Sequence, residues 1–118
     1  MKENNTVVIK SKAFAIRIIN LYKYLTQEKH EYVLSKQVLR SGTSIGANVR
    51  EATRAQSTAD FFSKHTVALK EADETCYWLE LLHETEYIGD SEYNSIYSDA
   101  DEIVKLLVAI TKTIGNKK

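Results

Sequence analysis

Two groupings in this chain of 118 residues have the residue types and spacing to do chemistry. The first is Glu80-x-x-His83, which puts a carboxylate and an imidazole on one helix face. Doubled and joined by further carboxylates, such a pair holds two metal ions inside a helix bundle. Here it occurs once, because Gln27 and Phe62 stand three residues before His30 and His65. A lone pair leaves a metal short of ligands, so no metal or other cofactor is expected, and His65 and His83 read as packed histidines. Cys76, the sole cysteine, has no basic neighbour to hold it as a thiolate and reads as a small core residue. Without a glycine-rich phosphate loop or a triad-like grouping, catalysis is not expected.

The second grouping lies in residues 34–57. At helical spacing Gln37, Arg40, Ser44, Asn48 and Glu51 fall on one narrow stripe, beside an apolar face of Leu34, Ile45, Val49 and Ala52. Either the stripe faces water, or it is a buried hydrogen-bonded ladder. A buried Arg40 needs a carboxylate partner, since an unpaired buried charge costs several kcal/mol. Glu71 and Glu74 are the natural partners across an antiparallel helix pair, and Glu51 is available locally. The candidate network is therefore Arg40, Ser44, Asn48, Glu51, Glu71 and Glu74, with the role of fixing helix register. Lys36, Thr43, Arg50 and Arg54 occupy an outward sector of the same segment. Lys36, Arg50 and Arg54, with Arg40 nearby, could follow a phosphate backbone, or they are the solvated face of a surface helix. Gly42 and Gly46 leave a smooth groove where another backbone can approach.

These residues must be held by helices. The chain has no proline and four glycines, which suits long uninterrupted helices and argues against a turn-rich β fold. The apolar spacing predicts helices over residues 7–29, 34–56, 58–87 and 91–114, within one domain covering 1–118. Residues 1–6 are expected to fray and 116–118 to form a polar tail. Val7, Phe14, Ile18, Leu21 and Leu25 form the seam of the first helix, widened by Ile19 and Tyr22. Ile9, Ile16 and Tyr24 sit round its back. Ser35 is the expected cap of the second helix, Ser57 or Thr58 of the third, and Asp90 or Ser91 of the fourth. In the third helix Phe61, Ala68, Ala72, Leu79 and Leu82 face the core with His65, Cys76 and His83. A second seam there joins Val67, Glu71, Glu74, Trp78 and Leu81. After a break at Gly89, the fourth helix presents Tyr93, Ile96, Tyr97, Ala100, Val104, Leu107, Val108 and Ile114. Short connections make the expected fold all-α, an antiparallel up-down-up-down four-helix bundle. Ile9, Ile16, Tyr24, Val67, Trp78 and Leu81 exceed what one core needs, so they are candidates for an interface between copies.

The net charge of zero hides an asymmetry. Residues 1–59 hold ten Lys or Arg against four Asp or Glu, and residues 60–118 hold six against twelve. The halves could attract each other within a bundle or between subunits, or the basic half could face a polyanion. A single cysteine permits no disulfide framework and fits the cytoplasm. No stretch approaches the roughly 20 apolar residues of a membrane span.

Two segments together carry a resemblance. They are Gln37-x-x-Arg40-Ser41-x-x-Ser44-Ile45-x-x-Asn48-x-x-Glu51-Ala52 and Ala68-Leu-Lys-Glu71-Ala-x-Glu74-Thr-x-Tyr77-Trp78-Leu79-x-Leu81-Leu82. The chain resembles the bacterial four-helix bundle proteins encoded in intervening sequences of 23S ribosomal RNA genes, sometimes labelled S23 ribosomal proteins. The resemblance covers roughly residues 8–114. It implies an antiparallel four-helix bundle assembled with itself as a ring-like homopentamer, without established enzymatic activity. It also implies kinship with the accessory subunits of diversity-generating retroelements, which associate with a reverse transcriptase and nucleic acid. Those accessory subunits are strongly basic, whereas this chain is neutral. The expected function is thus a non-enzymatic, self-associating interaction scaffold, with an accessory protein binding RNA, DNA or another protein as the alternative.

Overall fold

The computed structural model describes residues 2–116 and the side chains of residues 5–115. The expected polar tail lies largely outside that range. Four helices follow in order: α1 (Lys2–Gln27), α2 (Leu34–Ala52), α3 (Thr58–Glu84) and α4 (Asp90–Asn116). Each packs on its two neighbours, α1 on α2 and α4, α3 on α2 and α4, while the diagonal pairs do not meet among the described residues. The result is an antiparallel up-down-up-down bundle of 47 × 21 × 19 Å, without strands among the described residues.

The core runs along the bundle axis. In α1 the buried seam is Val7, Ser11, Phe14, Ile18, Leu21 and Leu25, and in α4 it is Ile96, Ala100, Ile103, Leu107, Ile110 and Ile114. In α3 it is His65, Ala68, Ala72, Thr75, Leu79 and Leu82. All three seams step by three and four residues in alternation, the spacing that keeps one stripe against its neighbours in a left-handed bundle. Only α2 departs, stepping by three from Ser35 to Val38 and Ser41, with Gly42 buried beside Ser41, before the alternation resumes at Ile45, Val49 and Ala52. Expectation placed Ile19 and Val108 in the core, yet they are exposed, while Ile103 and Ile110, overlooked in the sequence, are buried. The apolar surface of α4 is wide enough to admit two stripes, and the bundle buries the one with the strict alternation.

Small residues decide how close α1 comes to α2. A Cβ on Gly46 would lie 3.3 Å from the Ser11 carbonyl oxygen, so backbone meets backbone there, as the two-glycine groove suggested.

The helix ends differ from expectation in instructive ways. Ser35 does not cap α2; it lies inside the helix, buried, and its hydroxyl donates to the Glu31 carbonyl at 2.8 Å. The cap is the Glu31 carboxylate, which accepts from the N–H groups of Val33, Leu34 and Ser35 at 3.1, 2.9 and 2.7 Å. Burial pushes that carboxyl up, but the three backbone donors outweigh it and leave its pKa below the ordinary value. Ser57 does cap α3, accepting from Asp60 N–H at 3.0 Å. α3 stops at Glu84, before the expected 87, because Glu86 takes a left-handed φ of 67°. Its N–H and that of Tyr87 then satisfy the His83 and Leu82 carbonyls. Gly89, expected to break the helix, keeps a negative φ. Its carbonyl receives the first bond of α4, from Tyr93 N–H at 2.9 Å, so neither Asp90 nor Ser91 occupies the cap. α1 begins at Lys2, ahead of the expected residue 7, and α2 ends at Ala52 rather than 56.

Candidate functional site

The polar stripe of α2 does not form one ladder. Arg40 is the centre of what forms: its guanidinium donates to Glu74 and lies 3.6 Å from Glu71 Oε1, and Gln37 Oε1 accepts from it at 3.4 Å. Trp78 Nε1–H, one turn further along α3, donates to the same Glu74 carboxylate at 3.1 Å. The Arg40 side chain is 53% exposed, so this is a surface clamp between α2 and α3. Glu71 Oε1 is the buried atom of the group and has no hydrogen bond, only the longer contact with Arg40.

Ser44, Asn48 and Glu51 stand apart from the clamp. The Ser44 hydroxyl donates to the Arg40 carbonyl at 2.6 Å, and Asn48 Nδ2 donates to the Ser44 carbonyl at 2.9 Å, both one turn back along their own helix. Glu51 pairs with Lys64 at 3.0 Å, making a second clamp toward the start of α3. The hydrogen bond to Glu51, together with its charge, accordingly raises the Lys64 pKa. The fully buried cross-helix polar contact is elsewhere, between Thr75 Oγ1 and Ser41 Oγ at 2.9 Å. Two small hydroxyl residues at core positions gave no sequence signal beyond polarity on a seam.

Charge is apportioned between neighbouring helices as the asymmetry of the halves suggested. Lys10 pairs with Glu102 at 3.0 Å, and Arg17 with Asp99 at 2.8 Å and Glu92 at 3.5 Å, closing the α1–α4 edge. Three cations of the α2 segment stand outside these pairs. Lys36, Arg50 and Arg54 are exposed and make no ion pair among the described residues.

Of the candidate interface residues, Ile9 (69%), Ile16 (53%), Tyr24 (42%) and Val67 (39%) are exposed, whereas Trp78 and Leu81 are half-buried. Tyr77, which the sequence reading passed over, is 54% exposed on α3. A groove of about 310 Å³ runs between α1 and α2, lined by Val8, Lys12, Ala15, Thr43, Ala47 and Arg50 with Gly46 as its floor.

The residues weighed for catalysis are arranged for packing. His65 is 1% exposed, and its Nδ1 donates to the Phe61 carbonyl at 2.9 Å. Burial lowers its pKa, so it is neutral near pH 7. Burial pushes the Cys76 thiol up to about 11, with Asp73, Asp101 and Glu80 adding to the effect. A thiol so placed is protonated at neutral pH and a poor nucleophile. Tyr97 donates to Glu80 at 3.2 Å, and His83 meets Asp90 at 2.7 Å while stacking on Tyr93. Glu80 and His83 therefore point to different partners. No group of three or more His, Cys, Asp or Glu able to hold a metal occurs among the described residues. None of the described helices is long and apolar enough to cross a membrane.

The Arg40 clamp lies within the two segments that carry the resemblance, and the profile of the 23S rRNA-intervening sequence proteins matches residues 3–109. The chain belongs to this family. A solved structure from the S23 ribosomal protein family of Bacteroides thetaiotaomicron, described as a protein of unknown function, shares 61% identity with it. It superposes with a TM-score of 0.92 over 93% of this chain and 98% of that one. No curated protein matches. Membership in the 23S rRNA-intervening sequence proteins thus fixes the fold and carries no described activity with it.

Proposed function

We propose that this chain is a non-enzymatic, cytoplasmic interaction scaffold that associates with itself, with the homopentamer of the resemblance as its expected form. The observation that carries this reading is exposed apolar surface on a fully packed bundle. Ile9, Ile16 and Ile19 of α1, Tyr77 of α3 and Val108 of α4 all stand open to water although the core is complete without them. Ile9, Ile16 and Ile19 fall on one side of α1 at helical spacing, and adjoining apolar area of this kind marks interaction surfaces. The neutral His65 and the protonated Cys76 support the absence of catalysis. Light scattering at tens of micromolar tests the reading: a mass of several subunits is expected, and a monomer mass would overturn it.

One observation favours a second reading, an accessory protein for RNA or DNA. Lys36, Arg50 and Arg54 are exposed without an anionic partner among the described residues, while Arg40 is held by Glu71 and Glu74. Binding through them would weaken as salt rises, and Arg50→Gln with Arg54→Gln would lower the salt slope by about one unit for each lost phosphate contact. No binding to a generic RNA at low salt would remove this reading.

A further inference from the structure

Resting on the self-association reading, we infer that copies join head to tail, with Tyr77 on α3 of one copy seated in the α1–α2 groove of the next.

The two surfaces complement each other in shape and in charge. The receiving groove is floored by Gly46, where the two backbones meet, and walled by Val8, Ala15 and Ala47, which leave room for a large side chain to lie over the crossing. Lys12 and Arg50 stand at its rim. Ile16 and Ile19, 53% and 39% exposed, extend the apolar surface along α1. Acid is scarce on this side: residues 5–27 contain no Asp or Glu, and the lone acid of α2, Glu51, is engaged with Lys64.

The inserting surface has the opposite character. Tyr77 is 54% exposed and packs on Trp78 with ring centroids 5.3 Å apart, which braces it on its helix. An exposed, rigid aromatic is the side-chain type that most often anchors an interface. Asp73, one turn before it, and Glu84, two turns after, lie on the same face, are exposed and make no ion pair among the described residues. Lys70, two turns before, is the cation on this stretch of the face. Seating Tyr77 over Gly46 would bring the two carboxylates toward Lys12 and Arg50, giving each a counter-ion that it lacks among the described residues of its own chain.

Because α1 and α3 sit diagonally in the bundle, groove and knob belong to different sides of one molecule. The contact is therefore heterologous: each copy offers a knob to one neighbour and a groove to another, and a repeated contact of this kind closes into a ring or extends as a filament.

The test uses two variants at exposed positions, Tyr77→Ser to remove the knob and Ala47→Glu to block the groove, with helicity checked by circular dichroism. Each alone should be monomeric where the wild type is assembled, its association weakened by about thirtyfold or more. Mixed in equal amounts they should form a 1:1 dimer and nothing larger, because one intact groove and one intact knob remain between them. A wild type that is itself monomeric overturns self-association, and this inference with it. A wild type that assembles while both variants assemble equally well overturns the inference alone, as does a mixture that stays monomeric.

Discussion

Gly42 lies so close to Ile18 that a Cβ added to it would sit 2.8 Å from Ile18 Cγ1 and 2.9 Å from Cγ2. Ile18 is fully buried and β-branched, so it cannot swing aside. Gly42→Ala should therefore destabilise the bundle by about 1–3 kcal/mol, although alanine is the better helix former. Gly89, with open space around it, serves as the comparison: Gly89→Ala should be neutral or stabilising by up to about 1 kcal/mol. Urea midpoints of the two variants check the pair, and a Gly42→Ala protein as stable as wild type would mean the helices part without cost.

Glu31 holds three backbone donors at the start of α2 and is only 9% exposed. Glu31→Ala should cost about 2 kcal/mol, the upper end for a helix cap, because Ser35 N–H is left buried without its acceptor. Its lowered pKa fixes the sign of the acid response. The folded state holds this proton less tightly than the unfolded state, so the contribution is complete above the unfolded carboxylate value and is lost as pH falls through the folded one. Chemical denaturation from pH 6 down to the acid limit should show a shallower decline in Glu31→Ala than in wild type.

Arg40 bridges Glu71 and Glu74 from a half-exposed position, which limits its worth. Had it been buried, removal would cost about 3–5 kcal/mol. As a surface clamp it should cost about 1–2 kcal/mol, part of it from leaving Glu71 Oε1 without a counter-charge. Arg54 is exposed and its side chain makes no ion pair among the described residues, so Arg54→Ala should stay within about 0.5 kcal/mol of wild type. Equal urea midpoints for the two variants would show that the clamp contributes nothing.

His65 is buried neutral against Phe61, with its pKa lowered chiefly by that burial. Below the unfolded histidine value the unfolded chain binds a proton that the folded one refuses, so stability is constant above that value and declines as pH falls. Between pH 7.5 and 5.5 the wild-type urea midpoint should drop. The drop should be smaller in His65→Gln, and an identical one would assign the pH response to other groups.

The sequence displayed the α1 seam almost completely, because the three-and-four spacing of Val7, Phe14, Ile18, Leu21 and Leu25 is regular apart from Ser11, even with Ile9, Ile16 and Ile19 apolar outside it. α4 was less legible for a definite reason. Its apolar residues cover so much of the helix that Val104 and Val108 compete with Ile103 and Ile110, and only the neighbouring helices choose between them. The α2 clamp was half legible. The pairing of Arg40 with Glu71 and Glu74 follows from charge and antiparallel register, but the same stripe reads identically whether it is buried or wet. Glu31 was hidden because its capping role depends on how the loop folds back, and Glu86 because Gly89 offered a stronger break three residues later. Tyr77 was passed over because a lone aromatic beside Trp78 looks like core until its exposure is seen.

The ion pairs of the α1–α4 edge also bear on the order in which the molecule comes together. Three of the four helix contacts join segments that follow one another along the chain, and each can form as a local hairpin. The fourth joins α1 to α4, so it waits until α4 has been made and closes the longest loop of the four. Until then α1 has one flank bare. Lys10 and Arg17 on that flank meet Glu102, Asp99 and Glu92 on the arriving α4, so opposite charges draw the edges together in the slowest step. The uneven division of charge between the halves, invisible in the net charge, gives the bundle a direction of closure.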